Sequence, residues 1–238
     1  MIPREQELIA KVLDIFAQKF NKKAVLRGGM VLRILGSQRF TNDLDYIFVP
    51  YKSKKDIIGD ILECLSALQG VELHHELNSK CLRVFLTLEG VTIQIESKVA
   101  MDVKSMAVST KLVSQEFNLP PRIIHIVDLN VALADKMAAW NERRLIRDIY
   151  DIWFFLQMKA KPDLPTLEKR LAKPSYSKFV GAKERFQGKT CEDFYSFIRD
   201  AVNDLDDQQI RNELADYLPV AEIDGLSLLF KSAFAHLL

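Results

Sequence analysis

The chain has 238 residues, of which 48% are hydrophobic and 27% charged, and its 33 lysines and arginines against 32 acids leave a formal net charge of +1. That composition excludes disordered, collagenous and strongly polybasic classes, and a near-neutral balance gives no global field toward nucleic acid or membrane. Cys64, Cys81 and Cys191 are odd in number and far apart, no apolar run nears the ~20 residues of a membrane span, and the opening MIPREQELIAKVLDIF lacks signal-peptide form, so a cytoplasmic protein with reduced thiols is expected.

Apolar residues at helical spacing predict a helix over 3–20 with Asn21 at its stop. A strand over 24–27, a helix over 29–35 closed by Gly36, and a strand over 44–49 ended by Pro50 follow. A helix over 54–69 precedes Gly70. Three strands are predicted next, at 71–75, 81–88 and 91–97, the last two joined by a Glu89-Gly90 turn. From Asp128, a plausible N-cap, the pattern is helical over 129–143 and 148–158; KAKPDLP at 159–165 interrupts it. Further helices are predicted around 166–172, 191–203, 207–217 and 222–237. The fold class is therefore α/β (α+β): a mixed sheet with helices packed on one side, then a helical C-terminal domain. NLPPR, within 115–127, marks the boundary, giving domains 1–120 and 121–238; Pro120-Pro121 reads as a linker or as an extended edge segment.

Residues 28–45, GGMVLRILGSQRFTNDLD, carry the densest chemical signal. Gly28 and Gly29 end a strand and open a helix, which lets backbone N–H groups approach a phosphate. Asp43 and Asp45 enter the apolar run LDYIFV, and residues i and i+2 of a strand share a face. Both carboxylates then stand side by side at the strand mouth while Leu44 turns into the core. Two like charges so placed call for a cation, and Mg²⁺ takes one or two carboxylates plus substrate phosphates. A phosphate cradle joined to metal carboxylates points to nucleotidyl transfer. Either part alone has a structural explanation, a tight turn or a capping acid pair; their combination is the signal.

This stretch resembles the first motif of the polymerase-β-type nucleotidyltransferase superfamily, a Gly-Gly or Gly-Ser followed by Asp-x-Asp. ADKMAAWNERRLIRDIYDIWFF, residues 134–155, is similar to the Lys…Arg-Asp-x-Tyr-Asp segment of the AbiEii/AbiGii abortive-infection toxins. Arg39, Thr41 and Asn42 before Asp43 match that family's Arg-x-Ser/Thr-x-Asp-Leu-Asp. The resemblance spans about residues 24–156. It implies transfer of an NMP from an NTP, Mg²⁺ or Mn²⁺ as cofactor, Arg39 and Thr41 beside Gly28 and Gly29 at the nucleotide, and a place in a toxin–antitoxin or phage-defence pair. A cognate antitoxin and a tRNA or protein acceptor are the implied partners.

Further candidates lie downstream. In VTIQIESK, Val91, Ile93 and Ile95 share the apolar face and leave Glu96 on the other; the superfamily's third acidic residue on such a strand favours Glu96 as a metal ligand, against a simple pair with Arg83 or Lys98. Lys136 stands in the small apolar run ALADKMAA, where it either snorkels or meets an anion; the family's matching Lys implies nucleotide binding or catalysis. Asp148, in a first helical turn, has a structural role open to it as a dipole partner, while the resemblance favours a catalytic one that positions Lys136, the metal or the acceptor. Asp151 reads as structural, paired with Arg144 or Arg147. Arg27, Arg33 and Arg39 leave room for a local basic groove. The site is expected to draw Asp43 and Asp45 from the first domain and Lys136 and Asp148 from the second. Two rivals remain: a small-molecule adenylyltransferase of the antibiotic-modifying kind, and a non-catalytic nucleotide- or RNA-binding protein.

Overall fold

The computed structural model describes residues 4–173, 186, 188 and 190–237, so residue 3, the expected first residue of the opening helix, lies outside them. The chain divides into two compact units, Met1–Asp128 and Leu129–Leu238.

In the first unit, α1 (Arg4–Phe20) buries Leu8, Ile9, Val12, Leu13, Phe16 and Phe20 along one stripe. There follow β1 (Ala24–Arg27), α2 (Gly29–Ile34), β2 (Asp43–Phe48), α3 (Lys55–Leu65), β3 (Glu72–Leu77), β4 (Leu82–Leu88), β5 (Val91–Val99), β6 (Ser105–Ser109), α4 (Lys111–Glu116) and β7 (Ile123–Val127). The strands form a seven-stranded mixed sheet of order β3-β4-β5-β2-β1-β7-β6. β2 runs parallel to β5 and β1 parallel to β7, while β1 and β2 are antiparallel neighbours. Along β2 the side chains alternate, with Leu44, Tyr46 and Phe48 buried. Helix α1 covers that face. The Phe16 ring lies 5.0 Å from Tyr46 and the Phe20 ring 4.9 Å from Phe48, aromatic contacts worth about 0.5–1.5 kcal/mol each beyond the area they bury.

β6, α4 and β7 have no counterpart in the elements predicted from sequence. IIHIV, the run of β7, is short and follows two prolines, so it has no local period to announce a strand. It is a strand because β1 and β6 flank it on either side. Pro120-Pro121 therefore lie within the first unit, between α4 and β7.

The second unit contains α5 (Leu129–Arg143), α6 (Ile146–Gln157), α7 (Leu164–Ala172), α8 (Cys191–Asn203), α9 (Asp207–Leu214), α10 (Val220–Ile223) and α11 (Leu226–Ala235). Asp163, Thr190 and Asp206 cap α7, α8 and α9 through their side chains, and Gln209 completes a reciprocal capping box with Asp206. Arg170 fastens α7 to α5, reaching Asp135 at 2.6 Å and the buried Glu142 at 2.8 Å. The single helix predicted over 222–237 is two, because Gly225 adopts a left-handed φ of 81° and restarts the chain direction at Leu226. Among the described residues no helix is long and apolar enough to cross a membrane.

Candidate functional site

Between β1 and α2 two glycines make the turn, and the first of them requires glycine. Gly28 has φ +75° and ψ −155°, a conformation open in practice to glycine alone. A Cβ there would lie 2.1 Å from Asp45 Oδ2. A Cβ on Gly29 would meet Arg39 Nη1 at 2.7 Å and Thr41 Oγ1 at 3.1 Å. Gly28, Gly29, Arg39, Thr41 and Asp45 are thus brought into one cluster, with the Asp45, Arg39 and Thr41 side chains packed where glycine side chains would otherwise stand. The loop that supplies Arg39 and Thr41 is pinned from two sides. The Arg39 amide donates to Ser37 Oγ at 3.1 Å, and Gln6 Nε2 of α1 donates to the Thr41 carbonyl at 2.7 Å. Gln6 is only 2% exposed, so this contact is an internal brace.

Asp43 and Asp45 share the face of β2 opposite Leu44, Asp43 exposed and Asp45 half-buried. Pairing places Arg27 of β1 beside Asp45 on one side and Glu96 of β5 beside it on the other; Gln94 stands opposite Asp43. Glu96 Oε1 accepts from Arg83 Nε at 2.7 Å and from Gln94 Nε2 at 3.3 Å. Among the described residues no group of three His, Cys, Asp or Glu is gathered tightly enough to hold one ion. What the chain offers a metal is two carboxylates on one strand face, with a glycine turn packed closely against one of them. That donor set suits a hard cation that completes its shell from phosphate and water.

The helical unit holds a second charged cluster. Lys136 and Arg143 lie seven residues apart on α5, two turns along one face, and Asp148 and Asp151 lie three apart on α6. Lys136 Nζ is 2.5 Å from Asp151 and 3.8 Å from Asp148. Arg143 grips Asp148 with two bonds, Nη2 at 2.5 Å and Nε at 3.1 Å. Both carboxylates are buried, and the cluster of two cations and two anions is neutral as a whole. Asp151 therefore meets Lys136, where the sequence suggested Arg144 or Arg147. Arg144 instead stacks over Trp140 and Phe197, and Arg147 donates to the Tyr217 hydroxyl at 3.0 Å. Of the expected basic residues, Arg33 is turned inward: it bonds Glu116 at 2.5 Å and the Ser37 carbonyl at 3.2 Å.

Gln6, Arg143 and the pairing role of Asp151 escape sequence reading. The seven-residue spacing of Lys136 and Arg143 opposite an Asp-x-x-Asp was a usable signal; nothing in the sequence ties Gln6 to a loop 35 residues away.

Comparison with known proteins adds the family. The family model for the nucleotidyl transferase AbiEii toxin of type IV toxin–antitoxin systems matches residues 12–233. No curated protein matches significantly. JHP933 from Helicobacter pylori has a similar solved structure, with 12% identity and a TM-score of 0.59 over 99% of this chain and 92% of its own. MenT4, the nucleotidyltransferase toxin Rv2826c of Mycobacterium tuberculosis H37Rv, is similar at 14% identity and a TM-score of 0.54, covering 98% of this chain and 92% of its own. At such identity these two share the fold with the present chain. The chain belongs to the AbiEii nucleotidyltransferase toxin family, within the polymerase-β-type superfamily.

Proposed function

We propose that this chain moves an NMP from an NTP to an acceptor hydroxyl, tRNA being the first acceptor to test, and that it is the toxin of a toxin–antitoxin or phage-defence pair. The observation that carries this reading is the cluster of Gly28, Gly29, Arg39, Thr41 and Asp45, where the glycines let a carboxylate and a guanidinium lie against the main chain. Gly28 and Gly29 admit the phosphates close to the main chain, and Arg39 and Thr41 supply donors to their oxygens. Asp43 and Asp45 would hold Mg²⁺ or Mn²⁺, which when bound neutralises phosphate charge and polarises the α-phosphorus. The acceptor oxygen forms a bond to that phosphorus as the bond to the α–β bridging oxygen breaks. Pyrophosphate leaves, and the hydroxyl proton passes to a carboxylate of the pair. Lys136 we assign to phosphate charge as well, with Asp148 and Asp151 setting its position. A cytoplasmic location fits three buried free thiols.

The test is transfer of label from each α-labelled ribonucleoside triphosphate to total tRNA and to cell extract, alongside growth of a bacterial host expressing the chain. Wild type should label an acceptor and arrest growth. Asp45→Asn, nearly isosteric and one charge poorer, should lose at least ~10²–10³-fold in transfer and spare the host. Full turnover in Asp45→Asn would overturn the assignment. Label on a small molecule in a growing host would favour the antibiotic-type enzyme, and nucleotide binding without label would favour a binding protein.

A further inference from the structure

We infer that β6 is an interface for a second copy of this chain, the two β6 strands pairing antiparallel about a two-fold axis at Ala107 and joining the sheets edge to edge. β3 and β6 end the sheet, and among the described residues neither has a strand on its outer side. An unpaired edge invites another strand, and folds commonly guard one with charged side chains. β3 is guarded in that way, since ELHHEL carries Glu72 and Glu76 around His74 and His75. β6 is not. Its sequence, SMAVS, has no charge, proline or glycine, and Ser105, Met106, Ala107 and Ser109 are exposed.

On its inner side β6 pairs antiparallel with β7, Ser105 opposite Val127 and Ser109 opposite Ile123. The bonds that flank this ladder fix its phase. The Thr110 amide donates to the Arg122 carbonyl at 2.9 Å, and the Asp128 amide donates to the Lys104 carbonyl at 2.9 Å. Even-numbered residues of β6 therefore turn their backbone groups to β7, and Ser105, Ala107 and Ser109 turn theirs outward. The strand also reads nearly the same in both directions about Ala107. An antiparallel copy centred there sets Ala107 against the partner's Ala107 and Ser105 against the partner's Ser109, each pair exchanging both N–H···O bonds. Met106 meets the partner's Val108 in the closer, unbonded pairs. By register these two share a face with the buried Ile126 and Ile124, yet Met106 is 37% exposed, so the apolar face runs out to the rim. A second β6 would cover it. Further out, Lys104 falls opposite the partner's Thr110 and Val103 opposite the partner's Lys111, so no like charges meet. Centring on Met106 or Val108 keeps the phase but pairs one end of the strand with chain beyond it. Only Ala107 as centre pairs the whole strand with itself, the self-complementary patch that a two-fold interface requires.

Sedimentation velocity of the full chain from micromolar to submillimolar concentration tests this, and wild type should rise from the monomer mass toward the dimer mass. Two doubly substituted chains then probe the register. Ser105→Lys with Ser109→Lys sets like charges opposite one another in both outer pairs, whereas Ser105→Lys with Ser109→Glu sets opposite charges there. Both lose the same bond, from the Lys111 amide to Ser109 Oγ at 3.2 Å, so its effect on folding is common to the two. Their dimer Kd values should differ by about tenfold or more, the like-charged chain being the weaker. Asp45→Asn should dimerise as wild type does, which keeps this interface apart from the nucleotide reading. A wild type that stays monomeric throughout would overturn the proposal and leave the edge to a strand of another protein. Equal dimerisation by the two doubly substituted chains would overturn it as well, because the contact would then lie elsewhere.

Discussion

The acid pair on β2 and the charge cluster of α5 and α6 use nearly the same residue types in opposite ways. Asp43 and Asp45 share one face of an interior strand beside the glycine turn, Asp43 exposed and Asp45 half-buried. Asp148 and Asp151 are buried, and the chain neutralises them with its own Lys136 and Arg143. A carboxylate is therefore no indicator of chemistry by itself; how deeply the fold buries it matters as well. The first arrangement leaves its acids at the surface of the sheet. The second ties two helices together and leaves Lys136 as its partly exposed member.

The sharpest way to break that contrast is to remove a buried partner. Asp151→Ala removes the nearer of the two carboxylates at Lys136 and should destabilise the protein by about 3–5 kcal/mol in urea unfolding, the usual cost of breaking a buried ion pair. Lys136→Met combined with Asp151→Leu should recover most of that loss, since apolar pairs often replace buried ion pairs without penalty. If the doubly substituted chain is stable and still transfers nucleotide at the wild-type rate, Lys136 has no part in the chemistry.

The acid pair should behave in the reverse sense. Mg²⁺ with the preferred NTP at about 100 times its Kd should add roughly 2.7 kcal/mol to the wild-type protein. Asp45→Asn, nearly isosteric, should unfold much as wild type does without ligand, yet gain nothing from Mg²⁺ and nucleotide. A clear drop in its ligand-free melting temperature would show that Asp45 is structural and would erase the contrast.

The smallest effect concerns the brace. Gln6→Ala deletes the bond to the Thr41 carbonyl and should cost about 1 kcal/mol of stability. If the brace also orders the phosphate loop, KM for NTP should rise while kcat holds. An unchanged KM would confine Gln6 to the core.

Legibility from sequence follows the range of the forces involved. The alternation in LDYIFV is local, and so the burial of Leu44, Tyr46 and Phe48 and the common face of Asp43 and Asp45 can be read directly from it. The mixed sheet with a helical C-terminal extension is legible for the same reason. β7 is not, because IIHIV becomes a strand only through partners far away in the chain. The cluster of Lys136 with Asp151 is half legible: helical periods put each residue on a face, but which faces meet is a property of the packed unit. Gln6 is the extreme case, a polar residue in an apolar stripe whose partner is 35 residues away.

Because β2 lies between β1 and β5, each of its residues is locked to two neighbours at once: Asp45 to Arg27 and Glu96, Tyr46 to Leu26 and Ser97. A slip of one residue would swap the two faces, sending the acids into hydrocarbon and the aromatic side chains into water. The acid pair therefore cannot assemble in a chain whose interior is misaligned, nor can the interior close around a wrongly presented pair. The presentation of the two acids and the closure of the apolar interior are thus set by the register of a single strand.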